Sequence, residues 1–283
     1  MAGTLFIVAT PIGNLDDISA RALRVLKEVS MIAAEDTRRT NHLLQRYGLM
    51  TRSTSFHEHN AKSKAPELID RLLSGESIAV VTDAGTPGIS DPGQELVVLA
   101  QERQIPVVPI PGPSAVTAAL SVCGFPGDGF VFLGFPPSKG PDRRAWFDRF
   151  AAARGVVPLV VFYEAPHRIR TTLDELALKF GQVPVCVCRE LTKVHESVYL
   201  GLLTEYSLGS ELGEFVVVVN FGDTTKIMQP ASRPSSESVA FEFVYLTKTE
   251  GARRRQAIAT LSRKYGLSAR EVYAMVEASK APV

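Results

Sequence analysis

The first 122 residues alternate short apolar segments with longer segments of helical periodicity. Each apolar segment is short enough for a buried strand and ends in a loop rich in glycine, proline or acidic residues. This alternation is typical of an α/β fold with a largely parallel sheet. We predict strands at residues 5–9, 31–34, 77–82 and 105–110. We predict helices between them at residues 19–29, 37–47 and 92–104.

A second unit, in which strands outnumber helices, begins near residue 123. Its apolar segments predict strands at residues 130–133, 158–163, 183–188, 197–201 and 215–221. Helices at residues 142–153 and 167–180 would cover that sheet, which predicts an α+β or mixed α/β unit. Residues 229–238 have the composition of a linker, and residues 252–265 and 269–278 predict a helix-turn-helix-like pair. The predicted domains are therefore residues 1–122, 123–228 and 229–283.

The composition limits where such a protein works and what it binds. The 283 residues are 45% hydrophobic, and the formal net charge of +1 excludes a polycation that coats nucleic acid indiscriminately. No apolar run approaches the roughly 20 residues of a membrane span, and the amino-terminal residues are typical of a strand rather than a signal peptide. Three cysteines are too few for a disulfide framework. We expect a cytoplasmic protein, outside the membrane, with buried structural thiols.

Three loops follow strands of the first unit and carry the strongest functional signal. They occupy residues 9–14, 82–93 and 109–115, and each combines glycine or proline with small or acidic residues. In an open α/β sheet, ligands bind at the carboxyl ends of the strands, where these loops begin. Each loop alone is equally typical of an ordinary turn, and the first one is neither a GxGxxG motif nor a P-loop. Three of them at successive strand ends predict a ligand site.

Together with Ala34-Glu-Asp-Thr-Arg38, these loops resemble the tetrapyrrole-methylase superfamily, in its branch that modifies ribosomal RNA. The similarity covers essentially residues 4–221, its motifs are long and ungapped, and the tail resembles a small carboxyl-terminal extension of that branch. The resemblance implies a two-domain α/β fold of the tetrapyrrole-methylase type, with a mostly parallel first sheet, a mixed second sheet and a small helical tail. It also implies a homodimer.

The resemblance further implies that S-adenosyl-L-methionine binds in the cleft between the two domains. Carried over position by position, the cofactor contacts would be Pro11, Ile12, Asp83, Thr86, Ser114, Ala115 and Tyr163. Tetrapyrrole-acting members tend to carry Gly-Asp-Pro where this chain has Asp83-Ala84-Gly85, which favours RNA as substrate. The implied reaction is methylation of a cytidine ribose 2′-hydroxyl in the decoding region of small-subunit (16S) ribosomal RNA. No metal is implied.

A hydroxyl that attacks a sulfonium methyl group is helped by a base, or by a cation that stabilises the developing oxyanion. Two polar clusters at strand ends and one beside a predicted helix offer such groups. The catalytic candidates are Glu35, Asp36, Glu164 and Lys193. Surface ion pairs are the alternative role for Glu164 and Lys193, and Asp36 could simply complement a helix dipole.

RNA contacts are expected at local basic or polar groups. The candidates are Arg38, Arg39, His57, Arg253, Arg254 and Arg255. Arg38 could grip a phosphate bidentately, or it could be a solvated arginine at a helix N-terminus. The spacing around His57 is not that of a helical metal motif, so RNA contact or plain surface is favoured over metal. The tail arginines either contact phosphate or merely decorate amphipathic helices.

Three other functions compete with this hypothesis. The same loops could serve a tetrapyrrole methylase, a nucleotide-binding regulatory module, or a non-catalytic protein that binds RNA on the ribosome. Methyl transfer onto RNA distinguishes the first hypothesis from all three.

Overall fold

The computed structural model describes residues 2–91, 93–126, 129–222, 236–248, 253–265 and 267–278. Its chain forms two compact units, residues 1–223 and residues 224–283. The first unit contains both predicted sheets, and the domain boundary at residue 122 stays a prediction. Most of the predicted linker, residues 229–235, lies outside the described residues. No helix among the described residues has the length and apolar character needed to cross a bilayer.

The first sheet is fully parallel, as the sequence predicted, and its order is β3-β2-β4-β1-β5. Its strands are β1 (Leu5–Val8), β2 (Met31–Ala34), β3 (Ser53–Ser55), β4 (Ile78–Val81) and β5 (Val107–Ile110). Because all five strands run in one direction, their carboxyl ends lie at one edge of the sheet. The loops after β1, β2, β4 and β5 therefore meet there.

Five helices follow the strands of this sheet, and four of them bury its two faces. They are α1 (Ala20–Glu28), α2 (Thr37–Arg46), α3 (Ala61–Leu73), α4 (Gln94–Glu102) and α5 (Ala115–Val122). One face packs on the buried side chains of α3 and α4, and the other on those of α1 and α2. Ser19 caps α1 through its bond from the Ala22 amide, and Gly48 ends α2 at a φ of 64°. Both positions match the sequence prediction.

The second sheet is mixed, with the order β6-β7-β10-β8-β9 and parallel pairing only between β6 and β7. Its strands are β6 (Phe130–Phe132), β7 (Leu159–Glu164), β8 (Pro184–Arg189), β9 (Ser197–Leu202) and β10 (Phe215–Asn220). Helices α6 (Gly140–Ala153) and α7 (Ile169–Phe180) cover one face around the buried Trp146. Because side chains alternate along a strand, Tyr163 and Cys188 lie on the opposite face of the sheet, away from α6 and α7.

The carboxyl-terminal unit, residues 224–283, has a small core of its own, formed by three helices, and we refer to it as the helical unit. They are α8 (Ser236–Lys248), α9 (Arg254–Tyr265) and α10 (Ala269–Ala278), which bury Phe243 and Leu261 among other side chains. The predicted pair α9 and α10 is confirmed, including the capping box in which Glu271 accepts the Ser268 amide hydrogen bond. The prediction that the linker extends to residue 238 was wrong, because α8 begins at Ser236.

The three thiols are free and buried, which agrees with the structural role predicted for them. Cys186 and Cys188 project from the same face of β8, and their Sγ atoms are 3.6 Å apart. Burial is the largest cause that raises the pKa of the Cys123 thiol.

Candidate functional site

The first and second strand-end loops are tied directly to each other. Thr10 and Gly85 exchange two backbone hydrogen bonds of 2.8 and 3.1 Å, and the Thr10 hydroxyl donates to the Thr82 carbonyl. Gly85 has a φ of +84°, and Gly88 follows with +82°. Only glycine adopts such angles without strain, so these residues let the backbone of the second loop turn beside β1. The two loops form one rigid edge of the sheet.

The first loop also packs closely against the segment between β8 and β9 of the second sheet. A Cβ atom on Gly13 would lie 2.8 Å from the Leu191 carbonyl oxygen and 2.7 Å from the Thr192 hydroxyl, so no larger residue fits there without a shift. Glu190 and Thr192 both have positive φ angles, as does Ser90 in the second loop. Non-glycine residues with such angles cluster at functional sites, because surrounding contacts are needed to hold them.

A cavity of about 310 Å³ lies where these loops face the second sheet, and we refer to it as the central cavity. Its lining comes from both halves of the unit: Ile12, Glu35, Arg39, Asp83, Ala84, Gly85, Thr86, Ile89, Ser90, Asp91, Ser114, Ala115, Phe135, Tyr163, Cys188, Glu190, Leu191, Lys193, Glu214, Phe215 and Val216. Five carboxylates and two cationic side chains are among them. The cavity therefore favours a ligand that carries positive charge.

A hydrogen-bond network fixes the carboxylates at the ends of β2 and β4. Glu35 Oε2 accepts the Thr82 hydroxyl at 2.5 Å and the Asp83 amide at 3.1 Å. Asp83 Oδ1 accepts the Asp36 amide, and its Oδ2 lies 3.4 Å from Nε of Arg39. Burial, followed by the neighbouring Glu35 charge, raises the pKa of Asp83. Glu35 thus holds the loop in place, while Asp83 faces the cavity with an increased proton affinity.

Asp91 is a further acid of the central cavity. Burial raises its pKa to about 6, and the charges of Glu35, Asp83 and Glu214 act in the same direction. Burial also raises the pKa of Tyr163 to about 12, with Asp91 and Glu214 contributing. The acids of this cavity therefore repel one another when no cation is bound.

Removal of the Asp91 charge should stabilise the free protein near neutral pH. A carboxyl group with a raised folded-state pKa costs stability once it is ionised, and the cost disappears when the folded and unfolded states are both protonated. We expect Asp91→Asn to raise Tm by about 2 °C at pH 7.5 and to have no effect at pH 3.5. Thermal unfolding across this pH range measures the difference. An equal shift at both pH values would contradict the prediction, and Asp16→Asn on an exposed turn is the control.

Lys193 sits between two of the cavity's carboxylates. Its Nζ lies 2.9 Å from Glu190 and 2.9 Å from Glu214. Burial lowers its pKa, but the hydrogen bonds to these two acids outweigh that effect, and the net result is a raised pKa. Lys193 is therefore a paired cation at neutral pH and is not suited to accepting a proton.

The structure brings together most of the predicted cofactor residues and separates two catalytic candidates from them. Ile12, Asp83, Thr86, Ser114, Ala115 and Tyr163 all line the central cavity, together with Glu35 and Lys193. Ser114 occupies the N-cap position of α5, but its side chain makes no capping bond. Pro11 and Asp36 instead line a neighbouring cavity.

Glu164 lies outside both cavities. Its side chain is on the face of β7 opposite Tyr163 and is fully buried, where it pairs with Arg168 at 2.7 Å. It also accepts the Thr172 hydroxyl at 2.6 Å and the Ala165 amide at 2.8 Å. These bonds occupy both oxygens, so the structure gives Glu164 a role in anchoring α7 rather than in the site.

The neighbouring cavity has a volume of about 490 Å³, and we refer to it as the side cavity. It is lined by Thr10, Pro11, Leu15, Asp36, Arg38, Arg39, Thr40, His42, Leu43, Thr82 and Asp83. Arg39 and Asp83 line both cavities, so they form the wall between them. Asp36 caps α2 and binds Arg38 through two hydrogen bonds of 2.7 and 3.1 Å, and the Arg38 bond is the largest cause that lowers the pKa of Asp36 to about 2.

The remaining RNA candidates lie elsewhere. His57 lines neither cavity, and its Nδ1 is buried with no hydrogen-bond partner in the part of the chain that the structure describes. In the helical unit, Arg254 pairs with Glu277 and lies over the rings of Phe243 and Tyr273. Arg254 therefore holds that unit's helices together. Arg253 and Arg255 are exposed.

Three further residues of the central cavity were not among the predicted site residues. Asp91 was visible as the second aspartate of the loop at residues 82–93, and its position in a glycine-rich loop was the available signal. Phe135 packs against Tyr163 with ring centroids 5.2 Å apart. Glu214 precedes β10, and only the antiparallel pairing of β10 with β8 brings it to the site.

The fold and the site define the class of protein. The family model of tetrapyrrole (corrin/porphyrin) methylases matches residues 4–207, which include the three strand-end loops and both sheets' strands through β9. The chain belongs to this family.

Within the family, the chain is similar to curated proteins named ribosomal RNA small subunit methyltransferase I. It is 40% identical to the protein of Halalkalibacterium halodurans over 96% of this chain and 93% of that one. It is 42% identical to the protein of Synechocystis sp., with 96% of each covered. It is 50% identical to the protein of Pseudomonas aeruginosa over 70% of this chain and 69% of that one.

Solved structures agree on the fold. Uroporphyrin-III-C-methyltransferase from Thermus thermophilus matches 77% of this chain and 94% of its own, with a TM-score of 0.55 and 17% identity. A diphthine synthase matches 77% and 90%, with a TM-score of 0.60 and 15% identity. A further structure of the Thermus enzyme, in complex with S-adenosyl homocysteine, has a TM-score of 0.54, with 16% identity over 77% of this chain and 97% of its own. At these identities the likeness concerns the fold alone.

Proposed function

We propose that this chain is an S-adenosylmethionine-dependent methyltransferase that acts on small-subunit ribosomal RNA. The observation that carries the proposal is the central cavity, where three strand-end loops and the second sheet enclose a space dominated by acidic side chains. The named relatives, which this chain matches over most of its length, support the same activity.

The central cavity fits the proposed cofactor in size and charge. Its volume of about 310 Å³ lies within the roughly 300–1,000 Å³ of small-molecule sites. S-adenosylmethionine carries a sulfonium and an ammonium group, and the excess of carboxylates in the lining complements both. Apolar surface for an adenine ring is supplied by Phe135, Tyr163 and Val216.

The polar parts of the cofactor would be held by the strand-end loops. Ile12, Gly85 and Thr86 offer backbone that a ligand can approach closely, and Ser114 and Ala115 offer amides at the start of α5. Asp83 and Asp91 offer carboxylates to hydroxyl or amine groups. Pro11 belongs to the same loop but lines the side cavity rather than the central one.

The cofactor supplies a methyl group on a positively charged sulfur, which leaves as a neutral thioether. The protein must take one proton from the attacking hydroxyl, and Oδ2 of Asp83 is the acceptor that we favour. Asp83 lines both cavities, its pKa is raised, and Arg39 lies 3.4 Å away to stabilise the developing oxyanion. Glu35 and Asp36 hold the Asp83 loop and Arg38 in position.

The acceptor atom would be the 2′-hydroxyl of a cytidine in the decoding region of 16S ribosomal RNA. The sequence Asp83-Ala84-Gly85, in place of the Gly-Asp-Pro of tetrapyrrole-acting relatives, supports RNA over a tetrapyrrole as the substrate. A homodimer in the cytoplasm, with Arg253 and Arg255 of the helical unit contacting RNA phosphates, completes the proposal.

Parallel assays with alternative acceptors test the substrate class. The protein is incubated with radiolabelled S-adenosylmethionine and, separately, with small ribosomal subunits from a strain lacking the modification, large subunits, or uroporphyrinogen III. We expect label only in the small-subunit RNA. Label in uroporphyrinogen III alone would identify a tetrapyrrole methylase. Cofactor binding without label in any acceptor would indicate a non-catalytic protein.

A further inference from the structure

The side cavity differs from the central cavity in the character of its lining. Leu15 and Leu43 provide apolar surface. Arg38, Arg39 and His42 provide nitrogen donors beside that surface. Arg38 and His42 lie one helical turn apart on α2, so their side chains emerge on the same side of that helix. An apolar floor with a basic rim matches a nucleotide, which has an aromatic base and a phosphate.

The wall shared by the two cavities supplies the second observation. Asp83 and Arg39 line both spaces and are 3.4 Å apart, so a group in the side cavity reaches the same carboxylate as a ligand in the central cavity. An acceptor hydroxyl at this boundary would therefore lie beside Asp83, its proton acceptor. A nucleotide that is stacked within a helix could not enter such a space.

From these observations we infer that the side cavity binds a single unstacked nucleotide of the RNA, with its phosphate on Arg38 and His42 and its ribose at the Asp83–Arg39 wall. This inference rests on the proposed function and deepens it by assigning the acceptor subsite. The remaining RNA would lie outside the cavity, because a volume of about 490 Å³ suits a ligand of one nucleotide's size.

Asp36 orients the Arg38 side chain for this role. Asp36 holds its guanidinium through Nε and Nη2, yet the side chain remains 89% exposed, so its other donor nitrogen is available to an incoming phosphate. Arg39 is paired with Asp83 and is directed at the wall. In this arrangement Arg38 would bind the phosphate, and Arg39 would stabilise the reacting oxygen.

Arg38→Gln and His42→Gln test the inference, and Arg46→Gln is the matched control. Arg46 lies on the same helix and pairs with Asp16, but it does not line the side cavity. Two quantities are measured for each variant and the wild type: the affinity for small subunits as a function of salt concentration, and the dissociation constant for S-adenosylmethionine.

We expect Arg38→Gln to weaken subunit binding roughly tenfold and to reduce the slope of log K against log salt by about 0.7, the value for one lost phosphate contact in single-stranded RNA. His42→Gln should weaken subunit binding by about threefold, and both variants should bind the cofactor normally. Subunit binding equal to that of Arg46→Gln in both variants would overturn the inference. A wild-type protein that methylates no ribosomal RNA would instead overturn the proposed function.

Discussion

Asp83→Asn is expected to reduce kcat for methyl transfer by about 10³-fold at saturating cofactor, within the range for loss of a general base. Asparagine keeps an oxygen that can accept the Asp36 amide, so the loop between β4 and α4 retains its anchor. It cannot take a proton from the acceptor hydroxyl, and it loses its charge toward Arg39. Single-turnover kinetics with small subunits measures the loss in rate.

Cofactor affinity distinguishes this role from simple binding. Because Asp83 also lines the central cavity, the dissociation constant for S-adenosylmethionine should rise, but by less than about tenfold. Asp16→Asn, a substitution of the same type on an exposed turn, should change neither quantity. If Asp83→Asn left both the rate and the cofactor affinity unaltered, Asp83 would have no part in the site.

Glu164→Gln is expected to lower the free energy of unfolding by about 3 kcal/mol, because it leaves the largely buried Arg168 without its counter-charge. It also disturbs the bond from Thr172, whose hydroxyl already accepts a hydrogen bond from Arg143. Urea unfolding followed by circular dichroism measures the change. The rate of methyl transfer by the folded variant should remain close to that of the wild type.

Two comparisons make the Glu164 prediction specific. Glu211→Gln removes an exposed partner of Arg170, a residue of α7, and should have little effect on the free energy of unfolding. A Glu164→Gln variant that also carries Arg168→Met should recover part of the lost stability, because no buried charge is left unpaired. A stable Glu164→Gln protein with strongly reduced kcat would contradict the anchoring role and restore Glu164 as a catalytic group.

The strands and the strand-end loops could be predicted because their signals are local. Apolar segments of four to seven residues identified β1, β2, β4 and β5 and every strand of the second sheet to within two residues. Three elements gave weaker signals. The polar edge strand β3 has only three residues, α3 contains Pro66, and the serine-rich start of α8 has the composition of a linker.

Site membership was harder to predict, because it depends on which way a side chain points and on contacts between distant segments. Tyr163 and Glu164 are adjacent in sequence and were both proposed for the site, but the alternation along β7 sends them to opposite faces. Strand period alone could have separated them. Glu214 gave no such signal, since its place beside Lys193 follows from the pairing of β10 with β8.

The division into two cavities could not be foreseen from sequence either. Pro11 and Ile12 are neighbours in the first loop, yet one lines the side cavity and the other the central cavity. The order β2-β4-β1 places the loops after β2 and β4 side by side, which makes Asp83 and Arg39 a common wall. The sequence predicted Asp83 as a cofactor ligand and Arg39 as an RNA contact, and their ion pair joins these two roles.

The position of the transferred methyl group tests the central claim most directly. Small subunits from a strain lacking the modification are incubated with the protein and with S-adenosylmethionine that carries a trideuterated methyl group, and the RNA is then digested to nucleosides for mass spectrometry. We predict a single product, cytidine with the deuterated methyl group on the ribose 2′-oxygen. A deuterated methyl group on a base, or no deuterium in the RNA despite cofactor binding, would contradict the claim.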